Sequence, residues 1–531
     1  MVDILFRGGQ IIDGTGKPGF RGDVAVADGV VALVADGIRA RADRIVDVDG
    51  CIVSPGFVDL HSHGDYGILR FGHAENLLQQ GCTTAVVGNC GLSLAPLPVA
   101  SAASIVSQFP FVPREDRGAS RFHWTTFGEY LAEVAAAGLG MNIAALVGHG
   151  TLRRIVMRSD ARPADDAEVE EMTRLMDVCF DDGSVGMSTG LIYPPGSDAT
   201  TSELVTLCRT IARREKLYAT HVRSEADRLL EAIDEALFLA KETGVRVHIS
   251  HLKAAGISNW GKVTEALAAM EQARSRGCDV TCDGYPYSAG STTLAALLPP
   301  WATSGGAHSL RARLAEQGAR AQIAEDLLRE QTAWDNLYSC VGPKSISIAM
   351  CPTRPELEGQ SLDDVSRRLL MPPIEALLDL LMEDPEGVLV VLHEMAEDDV
   401  KKVVCHPLCA ICSDGDIRTP SRDERLHPRT YGAFTRALVG VRDGDYPISL
   451  EEMIRKMTSL PASRIRMRNR GAIQQGMSAD LAIFSLEELH ERCSYDSPNQ
   501  CASGMRFVVV NGQMVLDDEE LTEARPGRVI R

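Results

Sequence analysis

The stretch GFVDLHSHGD, residues 56–65, ends an apolar run with two histidines, His61 and His63, and an acid follows them. Side-chain direction in a strand repeats every two residues, so an H-x-H pair presents both imidazole rings on one face. In a closed barrel that face is the interior. Taken alone, the pair has two interpretations: metal ligands, or polar residues that end a buried strand. For an isolated pair the structural interpretation is the commoner one.

Seven further segments have the same form, a short apolar run that stops at a polar or glycine-rich junction. They are TTAVVGNC (83–90), IAALVGHG (143–150), SVGMSTG (184–190), LYATHVR (217–223), VRVHISH (245–251), CDVTCDGYPY (278–287) and LCAICSD (408–414). Helical stretches such as TFGEYLAEVAAAG and RLLEAIDEALFLAKETG alternate with these runs. Eight such units predict an α/β fold, a (β/α)8 barrel, whose active site lies where the strands end.

The sequence pattern at the two ends of the chain differs from the pattern in this middle part. Residues 3–54 alternate short apolar runs with Gly and Asp turns, and MRFVVVNGQMVLDD near the C-terminus does the same. We therefore predict one small β domain from residues 1–54 and 465–531, and a catalytic barrel over residues 55–464. More than a hundred residues separate the seventh and eighth strand candidates, which predicts an inserted helical subdomain at about 288–345.

Composition restricts the class of protein. The chain has 531 residues, 45% of them hydrophobic, and no apolar run approaches the roughly 20 residues that a membrane span needs. Its first residues, MVDILFRGGQ, do not resemble a secretory signal, so we expect a cytoplasmic protein. A formal charge of -19 argues against nucleic acid or an anionic membrane as partner. The 14 cysteines lie in apolar segments, which favours reduced, buried thiols.

The predicted strand ends collect side chains that bind metals. These are His61, His63, Cys90, His149, His221, His251 and Asp414. Imidazole, thiolate and carboxylate groups suit zinc, and a catalytic site needs about three ligands with one position left for water. Each residue also has a structural alternative: a buried thiol for the cysteine, a hydrogen-bonded core residue for a histidine, or a cap for the aspartate. Their joint occurrence at successive strand ends favours a metal site.

Nine motifs, in order along nearly the whole chain, resemble the N-acyl-D-amino-acid deacylases (D-aminoacylases) of the amidohydrolase superfamily. They are GFVDLHSHGD, GCTTAVVGNCG, LVGHGTLR, GMSTGLIYPPG, THVRSEAD, ISHLKAAG, DGYPYSAGSTTL, CSDG and HPRTYGAF. The resemblance implies that the two chain ends form a small β-sandwich domain and that the long insert is a lid. It also implies a metal-dependent amidohydrolase that acts on linear amides.

The resemblance further implies a set of metal ligands. Cys90, His221 and His251 match the tightly held zinc ligands of that family, and His61 and His63, with Cys90 shared, match a second and weaker metal position. Many superfamily members bridge two metals with a strand-four lysine or glutamate. Here the fourth strand ends in Ser188, Thr189 and Gly190, and the resemblance makes Cys90 the substitute. No ligand role carries over to His149, for which a structural or supporting role is expected.

The implied reaction is zinc-dependent hydrolysis of an N-acyl-D-amino acid, which releases a D-amino acid and a carboxylate. Asp414 matches the residue that acts as general base and then as general acid. The free carboxylate of such a small-molecule substrate calls for cations or hydroxyl donors near the metal. Lys253, two residues after His251, Tyr285 and Arg425 are candidates, and Arg223 either contributes or makes a structural salt bridge. The apolar stretch STTLAALLPPWA favours neutral or hydrophobic D-amino acids.

Three other functions compete with this one. A hydrolase of cyclic amides, similar to hydantoinases and dihydropyrimidinases, would typically carry the strand-four lysine. A non-catalytic, amidohydrolase-like assembly protein would be expected to lose ligands, whereas this chain retains each of them. A thiol-redox protein would need paired or exposed cysteines.

Overall fold

The computed structural model describes residues 1–113, 116, 122–158, 160–329, 333–421 and 425–531. In this part of the chain the strands are β1 (Val2–Ile11), β2 (Phe20–Ala27), β3 (Val30–Ala35), β4 (Ala42–Asp47), β5 (Ile52–Pro55), β6 (Phe57–Asp59), β7 (Cys82–Val87), β8 (Asn142–Gly148), β9 (Gly186–Gly190), β10 (Leu217–His221), β11 (Arg246–Ile249), β12 (Val280–Gly284), β13 (Ala289–Thr293), β14 (Ile346–Met350), β15 (Leu389–His393), β16 (Cys409–Ile411), β17 (Leu481–Phe484), β18 (Met505–Val510), β19 (Gln513–Asp517) and β20 (Glu520–Leu521).

The same residues form α-helices that follow or connect these strands. They are α1 (Gly67–Arg70), α2 (Glu75–Leu78), α3 (Ala102–Val106), α4 (Phe127–Ala136), α5 (His149–Met157), α6 (Asp166–Asp182), α7 (Thr201–Arg213), α8 (Leu229–Thr243), α9 (Val263–Ser275), α10 (Pro300–Thr303), α11 (Gly306–Ala315), α12 (Gln317–Leu328), α13 (Leu337–Val341), α14 (Leu362–Leu369), α15 (Pro373–Glu383), α16 (Glu397–Cys405), α17 (Arg429–Arg442), α18 (Leu450–Met457) and α19 (Ser459–Arg464). No helix of the described residues is both long and apolar enough to cross a membrane.

Eight parallel strands form the barrel, and each corresponds to one of the eight predicted segments. Their order is β6, β7, β8, β9, β10, β11, β12 and β16. A parallel bridge between Ser62 and Gly415 brings the first and last strands together. Every residue of β8 is buried, as expected for a parallel strand covered on both faces. The predicted (β/α)8 barrel is confirmed.

Local signals in the sequence fix the ends of the surrounding helices. At the start of α6, Asp165 accepts from the backbone N–H of Glu168, whose side chain accepts from the Asp165 backbone in return. The same helix ends at Gly183, which has φ of 117° and tolerates this conformation because it has no Cβ. Where α6 ends determines where the next strand, β9, begins. The length of that strand then determines which residue lies at its C-terminal end.

The two chain ends form one nine-stranded sheet, separate from the barrel. Its strand order is β20, β19, β18, β17, β5, β1, β2 and β3, with β4 paired to β1. Antiparallel pairing of β17 with β5 joins the C-terminal part to the N-terminal part. Apolar side chains such as Phe6, Val24 and Leu481 fill a core of its own. The prediction that the chain ends pair into one β domain is confirmed, and the exact boundaries 1–54 and 465–531 stay a prediction.

The insert between the seventh and eighth barrel strands is longer than the predicted 288–345. It begins at β13 and continues through β14 to β15, because β13 pairs antiparallel with β15, from Ala289 with His393 to Thr293 with Leu389. Helices α10 to α15 pack on this three-stranded sheet around a second apolar core, which includes Leu314, Leu377 and Val390. The insert is therefore a mixed α and β subdomain that stands over the strand ends.

Candidate metal centre and active site

The predicted metal ligands converge at the C-terminal ends of the barrel strands. Cys90, His251 and Asp414 have positive φ values of 51°, 34° and 45°. Residues with side chains rarely adopt this left-handed conformation, which costs about 1–3 kcal/mol and is concentrated at functional sites. Hydrogen bonds hold the turns: the Asp414 N–H donates to the His61 carbonyl at 2.9 Å. The backbone is thus bent at the positions where these side chains meet.

Cys90 lies at the centre of the cluster. Its Sγ is 3.3 Å from His61 Nε2 and 3.4 Å from His251 Nε2. Burial acts to raise the pKa of this thiol, but the charges of His61 and His251 outweigh burial and lower the pKa well below its ordinary value. Cys90 is therefore set up as a thiolate, the form that binds a metal ion.

Two buried carboxylates orient the imidazoles beside Cys90. His61 Nδ1 lies 3.3 Å from Asp283 Oδ2, and His251 Nδ1 lies 3.0 Å from Glu225 Oε1. A carboxylate on one ring nitrogen fixes the tautomer and leaves the other nitrogen, Nε2, with a free lone pair. In both residues that nitrogen is the one that faces Cys90. The arrangement is typical of metal-binding histidines.

His221 completes one side of the cluster, next to His251 and Glu225. Its ring centroid is 4.4 Å from that of His251, and its Nε2 is 3.5 Å from Glu225 Oε2. Among the described residues neither of its buried ring nitrogens makes a hydrogen bond. Buried polar atoms are nearly always satisfied, so an orphaned imidazole here fits a bound cation. The donor set of thiolate and imidazoles suits zinc.

Asp414 lies between a histidine pair and an arginine. Its Oδ1 is 3.1 Å from His63 Nε2 and 3.4 Å from His61 Nε2, and its Oδ2 accepts from Arg429 Nη1 at 2.7 Å. Burial acts to raise the pKa of this carboxyl, but Arg429 and the neighbouring imidazoles hold the pKa well below its ordinary value. Asp414 is therefore ionised at neutral pH.

Thiol and carboxyl groups surround the imidazoles of His61 and His63. Burial acts to lower the pKa of His63, yet Asp414 and Cys90 raise it to about 9. The pKa of His61 also lies well above its ordinary value, because Cys90, Asp283 and Asp414 outweigh the effect of burial. Groups that hold protons this tightly show that the site stabilises positive charge, which is the condition for binding a divalent cation.

A cavity of about 240 Å³ opens above the centre, under the insert. Lys253, Tyr285 and Arg429 line its wall beside Asp414. Lys253 Nζ donates to Glu225 Oε1 at 2.6 Å, and the Arg429 guanidinium stacks 4.6 Å from the centroid of the Tyr285 ring. The buried Tyr285 hydroxyl has no hydrogen-bond partner in the described part of the chain. These groups could bind an anionic end of a substrate.

The structure brings Arg429, and not Arg425, to this wall. Arg425 is exposed and does not line the cavity, because it lies in the loop before α17. Arg429 is the first residue of α17, which contacts β16, and its side chain lines the cavity. The signal was present in the sequence, since Arg429 belongs to the motif HPRTYGAF.

Arg223 and His149 lie in structural networks. Arg223 donates to Glu235 at 2.9 Å and to the carbonyls of Ser197 and Ala199 at 3.1 and 3.0 Å. His149 Nε2 lies 2.8 Å from Glu203 Oε1. Neither side chain lines the cavity. Both positions follow strand ends, but their side chains turn toward the neighbouring helix layer.

Three acidic residues of the site, Asp283, Glu225 and Glu394, were not predicted from the sequence. Glu225 stands four residues after His221 in the motif THVRSEAD, a spacing that could have indicated it. Glu394 follows β15 of the insert, lines the cavity, and has a pKa raised to about 7 by burial. No sequence pattern pointed to Glu394, because it reaches the site only through the pairing of β15 with β13.

The fourth barrel strand offers no bridging ligand. The Ser188 hydroxyl donates to the Gly88 carbonyl at 2.5 Å, and the Thr189 hydroxyl donates to Thr220 at 2.9 Å. Both hydroxyls are thus bonded within the barrel, the first to the residue after β7 and the second to the adjacent β10. Cys90, between His61 and His251, occupies the position from which a shared ligand could act.

The eighth strand also carries a C-x-x-C spacing, at Cys409 and Cys412. Both thiols are buried and free, and Cys412 Sγ donates to Asp283 Oδ1 at 3.5 Å. Burial raises the pKa of the Cys412 thiol well above its ordinary value. A protonated, buried thiol is a poor nucleophile, so Cys412 does not support redox chemistry.

Three features together define a class of metal-dependent hydrolases. They are the barrel, the cluster of a thiol and imidazoles at its strand ends, and the separate β-sheet domain formed by the two chain ends. The profile of the Amidohydrolase family matches residues 44–338 and 344–516. The chain belongs to this family, and the prediction that it is an enzyme, an amidohydrolase, is confirmed.

Two relatives and one solved structure place the chain more narrowly. D-aminoacylase of Alcaligenes xylosoxydans xylosoxydans is 34% identical over 99% of this chain and 97% of its own length. N-acyl-D-glutamate deacylase of the same organism is 33% identical over 100% of this chain and 96% of its own. The crystal structure of N-acyl-D-glutamate deacylase from Bordetella bronchiseptica, complexed with zinc and a phosphonate inhibitor that mimics the tetrahedral intermediate, has a TM-score of 0.83 and 31% identity and covers 100% of this chain and 99% of that one. The predicted resemblance to the D-aminoacylase group is confirmed.

Proposed function

We propose that this protein hydrolyses the amide bond of N-acyl-D-amino acids with the help of zinc. The observation that carries the proposal is the position of the Cys90 thiolate between two imidazole nitrogens, each oriented by a buried carboxylate. The names of the relatives support the substrate class, since they act on N-acyl-D-amino acids. The same relatives support the D-configuration.

Cys90, His221 and His251 are the proposed ligands of a tightly bound zinc ion, and His61 and His63, with Cys90 shared, those of a weaker second position. Support comes from the short Sγ–Nε2 distances of Cys90 and from the ring nitrogens of His221, which make no hydrogen bond among the described residues. A bound zinc ion would supply Lewis acidity, which polarises a carbonyl and lowers the pKa of water. Glu225 and Asp283 would hold the imidazoles in the tautomer that binds the ion.

Asp414 is the proposed general base and acid. Its carboxylate would accept a proton from the attacking water as the water oxygen joins the acyl carbon. The same proton would then pass to the amide nitrogen as the carbon–nitrogen bond breaks, so that a carboxylate and a free D-amino acid leave. His63 at 3.1 Å and Arg429 at 2.7 Å support this role, because they fix both carboxylate oxygens in place.

Lys253, Tyr285 and Arg429 are the proposed partners of the substrate's free carboxylate. All three line the cavity beside Asp414, and the Tyr285 hydroxyl has a donor to spare. Arg425 and Arg223, also considered from the sequence, lack this support because they lie outside the cavity wall. We propose a neutral or hydrophobic D-amino acid, since Ala295, Ala296 and Leu310 of the insert also line the cavity.

Hydrolysis of a cyclic amide is the second candidate from the same superfamily. The fourth strand argues against it, because Ser188 and Thr189 stand where a bridging lysine would be expected and their hydroxyls are bonded elsewhere. The complete set of candidate ligands and the ionised Asp414 likewise argue against a non-catalytic assembly protein.

The test is amine release from matched N-acetyl-D- and N-acetyl-L-amino acids, with a hydantoin as the cyclic alternative. The protein is assayed as purified, after removal of metal with a chelator, and after zinc is restored. We expect turnover of the D-forms only, lost with the chelator and recovered with zinc. Turnover restricted to L-forms or to the hydantoin, or full activity without metal, would show that the proposal is wrong.

A further inference from the structure

The cavity has two ends on opposite sides of the metal centre. Lys253, Tyr285 and Arg429 follow the sixth, seventh and eighth strands of the barrel. On the other side Leu92 follows the second strand, Arg154 lies on the helix after the third, and Ile192 follows the fourth. In the barrel order these two groups of strands face each other across the ligands. We call the second side the distal end.

The chemistry of the substrate assigns the distal end to the acyl group. In an N-acyl amino acid the free carboxylate and the acyl chain leave the amide in opposite directions. If the carboxylate binds near Arg429 and the carbonyl lies over the ligands, the acyl chain runs toward Leu92 and Arg154. This step rests on the proposed function.

The distal end combines apolar and polar side chains. Phe109 and Ile192 line it together with Leu92, and Arg154 and Gln108 also line this end. Arg154 Nη1 donates to Ser104 Oγ at 3.1 Å. Its buried Nε has no hydrogen-bond partner in the described part of the chain, and the same holds for the buried Oε1 of Gln108.

Arg154 carries a charge that its surroundings do not fully compensate. Burial lowers its pKa to about 10, and the attraction of Glu386, which also lines this end, does not offset that effect. No ion pair within 4.0 Å joins Arg154 to another described side chain. A partly buried guanidinium whose buried Nε–H donor is unused is completed by an anionic acceptor.

We propose that the preferred acyl group is a dicarboxylic one, a short aliphatic chain whose free carboxylate is bound by Arg154, as in an N-succinyl-D-amino acid. The aliphatic part would pack on the apolar side chains of the distal end, and its carboxylate would accept from Arg154. Arg154 is then a specificity-determining residue, and it does not touch the reacting atoms.

The experiment compares four acyl derivatives of one D-amino acid, D-methionine, on the zinc-loaded full chain: acetyl, butanoyl, succinyl and succinamoyl. We expect kcat/KM for the succinyl compound to exceed that for the butanoyl compound by about tenfold or more, the effect of one charge-assisted hydrogen bond. If kcat/KM for the butanoyl or the succinamoyl compound equals that for the succinyl compound, the inference is wrong.

Variants separate Arg154 from a general effect on the fold. In Arg154→Gln the succinyl-to-butanoyl ratio should fall to about one, whereas Arg154→Lys, which keeps the charge, should retain part of it. Arg174→Gln removes an exposed arginine elsewhere and should leave the ratio unchanged. An unchanged ratio in Arg154→Gln would contradict the role of Arg154.

The outcomes distinguish the deacylase function from the assignment of the distal end. If none of the four compounds is hydrolysed, the proposed function itself is wrong. If the acetyl compound is hydrolysed without a preference for the succinyl one, the deacylase function stands and only the assignment of the distal end is wrong.

Discussion

The active site has two parts that are positioned in different ways. One part lies at the ends of the barrel strands, and the other is contributed by a helix start and by the insert. Cys90, His251 and Asp414 sit directly after barrel strands, and hydrogen-bonded neighbours fix their bent backbones. Arg429 and Glu394 reach the same cavity from a helix start and from the insert. The first group depends on the barrel alone, while the second depends on how the loops and the insert pack.

This difference has a functional consequence. Residues placed by a strand ladder can hold a metal ion and a base within a few tenths of an ångström, as catalysis requires. Residues placed by loops and an insert can change without disturbing that geometry. We therefore expect substitutions at strand ends to affect metal content and kcat, and those on the loop side to affect KM and substrate preference.

The largest effect is expected for Asp414→Asn. The amide keeps the shape of the side chain but cannot accept the proton, so kcat should fall by about 10²- to 10⁴-fold. Zinc content, measured by elemental analysis, should stay near the wild-type value. A variant with wild-type kcat would show that another group is the base.

Cys90→Ala should act on the metal rather than on the chemistry. Loss of the thiolate should weaken zinc binding by more than the ~10- to 100-fold expected for loss of an orienting partner. The matched control is Cys208→Ala, which removes a thiol buried in α7, away from the cavity. Equal zinc content in the two variants would contradict the ligand role of Cys90.

Arg429→Gln and Arg425→Gln form a pair on the loop side. Removal of Arg429 should raise KM about tenfold to a hundredfold, since it removes a charge-assisted hydrogen bond to the substrate carboxylate. Part of the loss should appear in kcat, because Arg429 also holds Asp414. Arg425 is exposed, so its removal should change KM by about twofold or less. The reverse order of effects would restore Arg425 as the binding residue.

Arg223→Gln should show the smallest effect on catalysis. Its partly buried ion pair with Glu235 and its bonds to two carbonyls stabilise the fold, so the free energy of unfolding should fall by about 1–2 kcal/mol. Denaturant unfolding measures this change, and KM for N-acetyl-D-amino acids serves as the control. A raised KM with unchanged stability would place Arg223 in substrate binding.

The sequence predicted the strand-end half of the site much better than the loop half. The eight apolar runs stop at polar residues because parallel strands are buried on both faces, and this pattern located every barrel strand. Arg425 and Arg429 lie close together in the sequence, on either side of the start of α17. No hydrophobic periodicity indicates which of the two side chains enters the cavity. The insert was predicted too short for a similar reason, because the pairing of β13 with β15 joins residues about a hundred positions apart.

The most direct test of the central claim is a zinc titration of the metal-free protein, followed by release of amine from an N-acetyl-D-amino acid. We predict that the metal-free chain is inactive and that activity rises with added zinc to a plateau near one tightly bound ion per chain. Metal-free protein with full activity, or zinc-loaded protein that releases no amine from any N-acyl-D-amino acid, would contradict the account.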